Sequence, residues 1–169
     1  MHPLVQLAKD TVELYVREGK IREVREDEFP PEFRERAGVF ICLKIDGVLR
    51  GCIGTFQPTE PDMAHETVRN AISAATCDPR FTCVRAEELD VIEYTVDVLT
   101  PPEPVKERSE LDPRRYGVIV QSGARRGLLL PDLEGVDTVD FQISIAMQKA
   151  GIVPGTPVKL FRFEVKRYH

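Results

Sequence analysis

The pair Asp46-Gly47 restricts this chain more than any other two residues, because it stands between two segments of strand character, "GVFICLKI" and "VLRGCIG". Asp-Gly is a strong signal for a two-residue hairpin loop, since both central positions of a type I′ turn need a positive φ. The hairpin also predicts a register. With Asp46 and Gly47 as the whole loop, Ile45 faces Val48, Leu43 faces Arg50, Ile41 faces Cys52 and Cys42 faces Gly51. Arg50 and Cys52 then share one face of the sheet and Cys42 lies on the other, so no Cys42–Cys52 disulfide is expected.

Other elements arrange themselves around this hairpin. Residues 3–18 carry an apolar stripe of Val5, Ala8, Val12, Tyr15 and Val16, closed by Gly19, and read as an amphipathic helix. Residues 20–36 are charged, contain Pro30-Pro31 and read as a surface arm. A second helix opens at Pro61, presents Ala64, Val68, Ala71 and Ala75 to a sheet, and ends before Pro79. Residues 91–99 alternate as a strand, with Ile92, Tyr94, Val96 and Val98 inward and Glu93, Thr95 and Asp97 outward, and "TPPEPV" reads as a stiff linker.

The same order then recurs. "YGVIVQ" and "GLLL" form a hairpin around "SGAR", a helix runs from about Asp137 to Ala150 with Gly151 as its cap, and "PVKLFRFEVKRY" is a single last strand. Arg50-Gly51 aligns with Arg126-Gly127, and each helix opens ten residues after its glycine. The expected fold is therefore α+β in one domain of residues 1–169. Two related hairpin–helix–strand repeats, at about 38–100 and 116–168, surround one curved, mostly antiparallel sheet, with the helix and arm of residues 1–37 added in front.

Composition excludes several classes. The net charge is −5, which gives no general attraction to nucleic acid or to an anionic membrane. No apolar run reaches the roughly 18 residues of a membrane span, and the first twenty residues do not read as a signal peptide, so a cytoplasmic location is expected. The four cysteines, Cys42, Cys52, Cys77 and Cys83, form no C-x-x-C, so no metal site is predicted, and in a reducing compartment they are expected as free thiols. No phosphate-loop or dinucleotide fingerprint is present, and no cofactor is assigned.

The chemistry concentrates in "LRGCIG" and "DPRF". Two glycines weaken a strand and mark a close backbone approach. Cys52 between them is either a small core side chain, as its alignment with Leu128 suggests, or a nucleophile. Arg50 and Arg80 could clamp a carboxylate or phosphate, and their charge would favour a Cys52 thiolate. Equally, Arg80 and Asp78 could form a plain structural pair. His65 is the only internal histidine, on the polar flank of the second helix with Arg69 and Ser73, and a Cys–His dyad would have to use it. The candidate catalytic residues are Cys52, Asp78 and His65. The candidate ligand-binding residues are Arg50, Gly51, Gly54, Thr55, Asn70, Arg80 and Phe81.

The segments "GVFICLKIDGVLRGCIGT", "NAISAATCDPRF", "IEYTVDVLTPPEP", "GVIVQSGARRGLLLPDLEGVDTVDFQISIAMQKAGI" and "LFRFEV" resemble the AMMECR1 family across nearly the whole chain. The resemblance implies an α+β fold built from two β–α repeats. It carries over Leu49 through Gly54 together with Asn70, Asp78, Pro79, Arg80 and Phe81. Bacterial and archaeal members are also called AmmeMemoRadiSam system protein A, which implies association with Memo-like and radical SAM proteins. It brings no defined reaction. Two functions are therefore expected as alternatives: a small anionic-ligand or catalytic cleft on the two motifs, or a binding or scaffold protein in which the motifs are structural.

Overall fold

A computed structural model describes residues 1–169 and divides the chain into two compact units, residues 1–99 with 166–169, and residues 100–165. Within the first unit, helix α1 spans Pro3–Glu18, strands β1 and β2 span Gly38–Ile45 and Val48–Thr55, helix α2 spans Met63–Thr76 and strand β3 spans Ile92–Leu99. Asp46 and Gly47 both have positive φ, 50° and 75°, as the two-residue hairpin loop requires. Gly19 ends α1 in the left-handed conformation, with its N–H bonded to the Tyr15 carbonyl. The helix α2 starts two residues later than expected, because Asp62 rather than Pro61 caps it by accepting the His65 N–H.

The core of this unit lies between the helices and one face of the sheet. Val39, Ile41 and Leu43 of β1 and Val96 of β3 are wholly buried against Leu4, Val5, Ala8 and Val12 of α1 and Ala71, Ala74 and Ala75 of α2. Small residues on α2 let that helix approach the hairpin closely. A Cβ added at Gly51 would stand 2.2 Å from the Ala74 carbonyl oxygen, so only glycine fits beneath the helix.

The hairpin register departs from the simple alternation at one place. Ile45 pairs with Val48 and Lys44 with Leu49, but Leu43 pairs with Gly51, which leaves Arg50 unpaired as a β-bulge. Beyond it every pairing moves by one residue, so Cys42 lies opposite Cys52 rather than Gly51. The two cysteines share a face, their Cα atoms are 4.2 Å apart and their sulfurs are bonded. The expectation of four free thiols is thus corrected. Only Cys77 and Cys83 are free, because an extra residue in one strand reverses the face of everything after it.

In the second unit, β4 spans Glu103–Val105, β5 and β6 span Gly117–Ser122 and Arg125–Leu129, α3 spans Val139–Ala150 and β7 spans Lys159–Phe163. Its core joins Val118 and Val120 of β5 and Leu129 of β6 to Ile143 and Ala146 of α3. The same device seats this helix. A Cβ at Gly127 would stand 2.0 Å from the Ala146 carbonyl oxygen. Gln142, wholly buried one turn before Ala146, donates to the Tyr116 carbonyl at 2.9 Å, as Asn70, one turn before Ala74, donates to the Val39 carbonyl.

The α+β class holds, but the strands form two four-stranded sheets instead of one curved sheet, in the orders β2-β1-β3-β8, where β8 is Val165–Tyr168, and β4-β7-β5-β6. Two readings change with this. The "TPPEPV" segment is not only a linker, since Glu103–Val105 pairs with β7. The last strand is broken at Glu164 into β7 and β8, and β8, Val165–Tyr168, joins the first sheet. There Arg167 forms two 2.8 Å bonds to Asp97, which is buried on the face expected to be solvated. Tyr168 stacks on His2 at 3.7 Å, and His2 Nδ1 accepts the Leu4 N–H at the start of α1. No helix is long and apolar enough to cross a membrane.

Replacing Gly51 with Ala forces a methyl group into a backbone carbonyl, and an overpacked site of this kind loses about 3 kcal/mol. Gly127→Ala is expected to cost a similar amount, and Gly47→Ala, which meets no neighbour but retains a positive φ, less. Urea denaturation of the three variants checks this order.

Candidate functional site

Cys52 lies on β2, an edge strand, so its N–H and C=O have no further strand to pair with. The turn after α2 supplies the missing partners. Asp78 Oδ2 accepts the Cys52 N–H at 2.9 Å, and Arg80 Nη2 donates to the Cys52 carbonyl at 3.4 Å. Asp78 and Arg80 also hold one another, through Arg80 Nε to Oδ1 at 3.0 Å and Nη2 to Oδ2 at 2.8 Å. The Asp78 Oδ1 atom further accepts the Arg80 N–H, which fixes the turn, and the Arg80 guanidinium lies 5.5 Å from the centre of the Phe81 ring. Two side chains thus complete the sheet edge at one residue. The Arg80 bonds hold the Asp78 carboxyl far below the usual carboxylate range, aided by the Cys52 N–H.

The bulge sends Arg50 elsewhere. Its Nε and Nη2 grip the two carboxylate oxygens of Glu88 at 2.7 and 3.0 Å, while Nη1 and Nη2 donate to the carbonyls of Thr82 and Cys83. Glu88 lies in the short 3-10 helix Ala86–Val91 and also accepts the Arg85 N–H. The bond to Arg50 lowers its pKa. Arg50 therefore ties the segment after DPRF to the hairpin. The two guanidinium groups each have a carboxylate of their own.

A second network lies on α2. Glu66 is wholly buried, and burial alone would raise its pKa. The hydroxyls of Thr55 and Thr59 and the backbone N–H groups of Thr59 and Glu60 all donate to it and hold the pKa below its ordinary value instead. Thr55 also accepts from Asn70 at 3.1 Å. Thr55 and Asn70 thus anchor the loop of residues 55–60, and Glu66 organises both. Glu66 and Glu88 are absent from the residues expected from sequence. For Glu66 a signal existed, since Glu66, Asn70 and Ala74 recur at four-residue spacing and share the face of α2 that meets the hairpin.

Of the residues expected at the site, the structure brings Cys52, Asp78 and Arg80 into direct contact. It sets Gly51 under α2 and packs the Phe40 ring where a Gly54 Cβ would stand. His65 belongs to a different place. Its Nδ1 bonds Asp62 at 2.8 Å, and it lines two concavities formed where residues 20–36 fold over α2. The larger, about 670 Å³, has aliphatic walls of Ile21, Val24, Val68 and Ile72, with Glu23, Glu60 and Arg69 beside them. The smaller, about 250 Å³, runs toward Phe29 and Phe33. Cavities of hundreds of Å³ are the size that binds ligands or partner side chains.

The fold and the two motifs have the pattern of a known class. The sequence profile of the AMMECR1 family matches residues 5–168, and the chain belongs to that family. A Thermotoga maritima protein is 56% identical over 171 residues, covering 99% of this chain and 97% of that one. A protein of Clostridium acetobutylicum is 46% identical over 98% of this chain, which there accounts for 36% of a longer protein. A crystal structure of an uncharacterized Pyrococcus horikoshii protein superposes with a TM-score of 0.89, at 35% identity, over 97% of this chain and 88% of that one.

Removing the Asp78 side chain leaves the Cys52 N–H and the Arg80 guanidinium without their partner, so Asp78→Ala is expected to lose about 2–3 kcal/mol. Because the folded pKa of Asp78 lies below its ordinary 3.8, its contribution is complete above that value and drains as pH falls beneath it. Acid titration should therefore show a shallower loss of stability in the variant than in the parent below about pH 4. Glu66→Ala removes the one acceptor shared by four donors and leaves a gap at a wholly buried position, and is expected to cost about 2–3 kcal/mol. Calorimetric melting of each variant gives the comparison.

Proposed function

We propose that this is a binding protein in which the LRGCIG and DPRF motifs are structural, and that a segment of a partner protein occupies the groove between residues 20–36 and α2. The observation that carries this reading is the bidentate pairing of both motif arginines, Arg50 with Glu88 and Arg80 with Asp78. A small anion at Arg50 and Arg80 would have to break both pairs, and the bonded Cys52 sulfur offers no nucleophile in this state. The catalytic alternative is the weaker one for that reason.

The groove suits a protein segment. Its aliphatic walls accept apolar side chains, and its rim carries charge of both signs, which orients a partner more than it strengthens binding. The family resemblance makes a Memo-like protein and a radical SAM protein the candidate partners, in the cytoplasm. We read the two units as diverged copies of one hairpin–helix–strand repeat. The paired contacts of Gly51 with Ala74 and of Gly127 with Ala146 support that descent.

Calorimetric titration with the Memo-like and radical SAM proteins of the same genome tests the reading. At least one complex is expected. An Ile21→Glu variant, at a residue already exposed, should weaken it by about tenfold or more without lowering the melting temperature. Arg80→Ala should lower the melting temperature and leave the affinity alone. The absence of any complex, or one that ignores the groove and depends on Arg80, would reject it.

A further inference from the structure

Cys42 and Cys52 differ from a disulfide that fastens distant parts of a core. They sit opposite one another on adjacent strands, closing a loop of only ten residues that the hairpin already closes. A loop this short restrains the unfolded chain less than one joining distant parts of a core would. Both residues are half-buried, on the sheet face away from the helices, whereas their neighbours Ile41 and Leu43 are sealed in the core. Cys52 is on the edge strand, so β1 flanks it on one side only.

We propose that Cys42 and Cys52 are a redox-active pair that cycles between disulfide and dithiol by exchange with low-molecular-weight thiols. Exchange requires a thiolate in line with the sulfur–sulfur bond. For Cys52 that line comes in from the open edge of the sheet. For Cys42 it comes in from over β3, where Thr95 lies opposite. The Arg80 side chain, 55% exposed and bonded to the Cys52 carbonyl, stands on that edge side with its charge paired to Asp78.

The steps balance with two thiols as reductant. A thiolate attacks Cys52 Sγ, a new bond forms to that sulfur, the bond to Cys42 breaks, and the electron pair leaves on Cys42, which takes a proton from water. A second thiolate attacks the small-molecule sulfur of the mixed disulfide, and Cys52 leaves as a thiolate and is protonated. Two electrons pass to the protein and one small disulfide is released. Neither step breaks the bonds from Asp78 and Arg80 to the Cys52 backbone, so the strand stays in place in both states.

The test uses the full chain with Cys77→Ser and Cys83→Ser, which removes the two free thiols. The protein is equilibrated without denaturant in mixtures of reduced and oxidised glutathione, acid-quenched, alkylated with N-ethylmaleimide and weighed intact. The expected count changes from no labels to two in one step, with the ratio of dithiol to disulfide following the square of reduced over the first power of oxidised glutathione. Should the serine variant not fold, the parent chain shows the same change from two labels to four. Trapped mixed disulfide should carry glutathione on Cys52. A bond that resists excess glutathione until denaturant is added, two labels at every mixture, or an adduct on Cys42 alone would overturn the proposal.

Discussion

The approach of α2 to the backbone of Gly51 is the contact on which the rest of the first unit depends. With no side chain at that position, the Ala74 carbonyl settles against the strand and the end of the helix is fixed beside the sheet edge. The next turn then begins within reach of β2. Asp78 and Arg80 can meet the two backbone groups of Cys52 that a neighbouring strand would otherwise have met. The bulge contributes the other half. By taking Arg50 out of the pairing, it frees that side chain to hold the following segment through Glu88 and two carbonyls. Motifs nearly thirty residues apart in sequence are thus one mechanical joint.

Much of this was legible in the amino-acid order. The Asp46-Gly47 turn, the three helices and the alternation of Ile92, Tyr94, Val96 and Val98 follow from local rules, because backbone conformation and burial period are written in each short segment. The glycines of LRGCIG announced a close backbone approach, and one occurs at Gly51. What could not be read was whatever depends on a single extra residue or on distant partners. A bulge leaves no mark in composition, yet it turned Cys42 toward Cys52. The partners of Arg50 and the burial of Glu66 are set by tertiary packing. The break at Glu164 was hidden because β7 and β8 both alternate as one long strand would.

The first hairpin consequently carries two kinds of chemistry that do not interfere. Along its edge, charge-assisted hydrogen bonds to the backbone hold position, and such bonds are strong where water has limited access. On its outer face lies the half-buried pair of Cys42 and Cys52. The buried carboxylate of Glu66 belongs to the first kind, since four donors hold it in place. The groove over α2 is separate from both and is framed by a charged arm whose Arg22 is itself held by Glu28.

The strand exchange has a consequence for biosynthesis. After β3 the chain leaves to build β4 into the second sheet, and only after β7 does it return as β8 beside β3. During translation, therefore, the first sheet must wait with three strands and an unprotected border until the whole second unit has emerged from the ribosome. A nascent chain stalled before residue 165 would expose that border, with Asp97 lacking Arg167, and would be a natural client for a chaperone that recognises open β-strands.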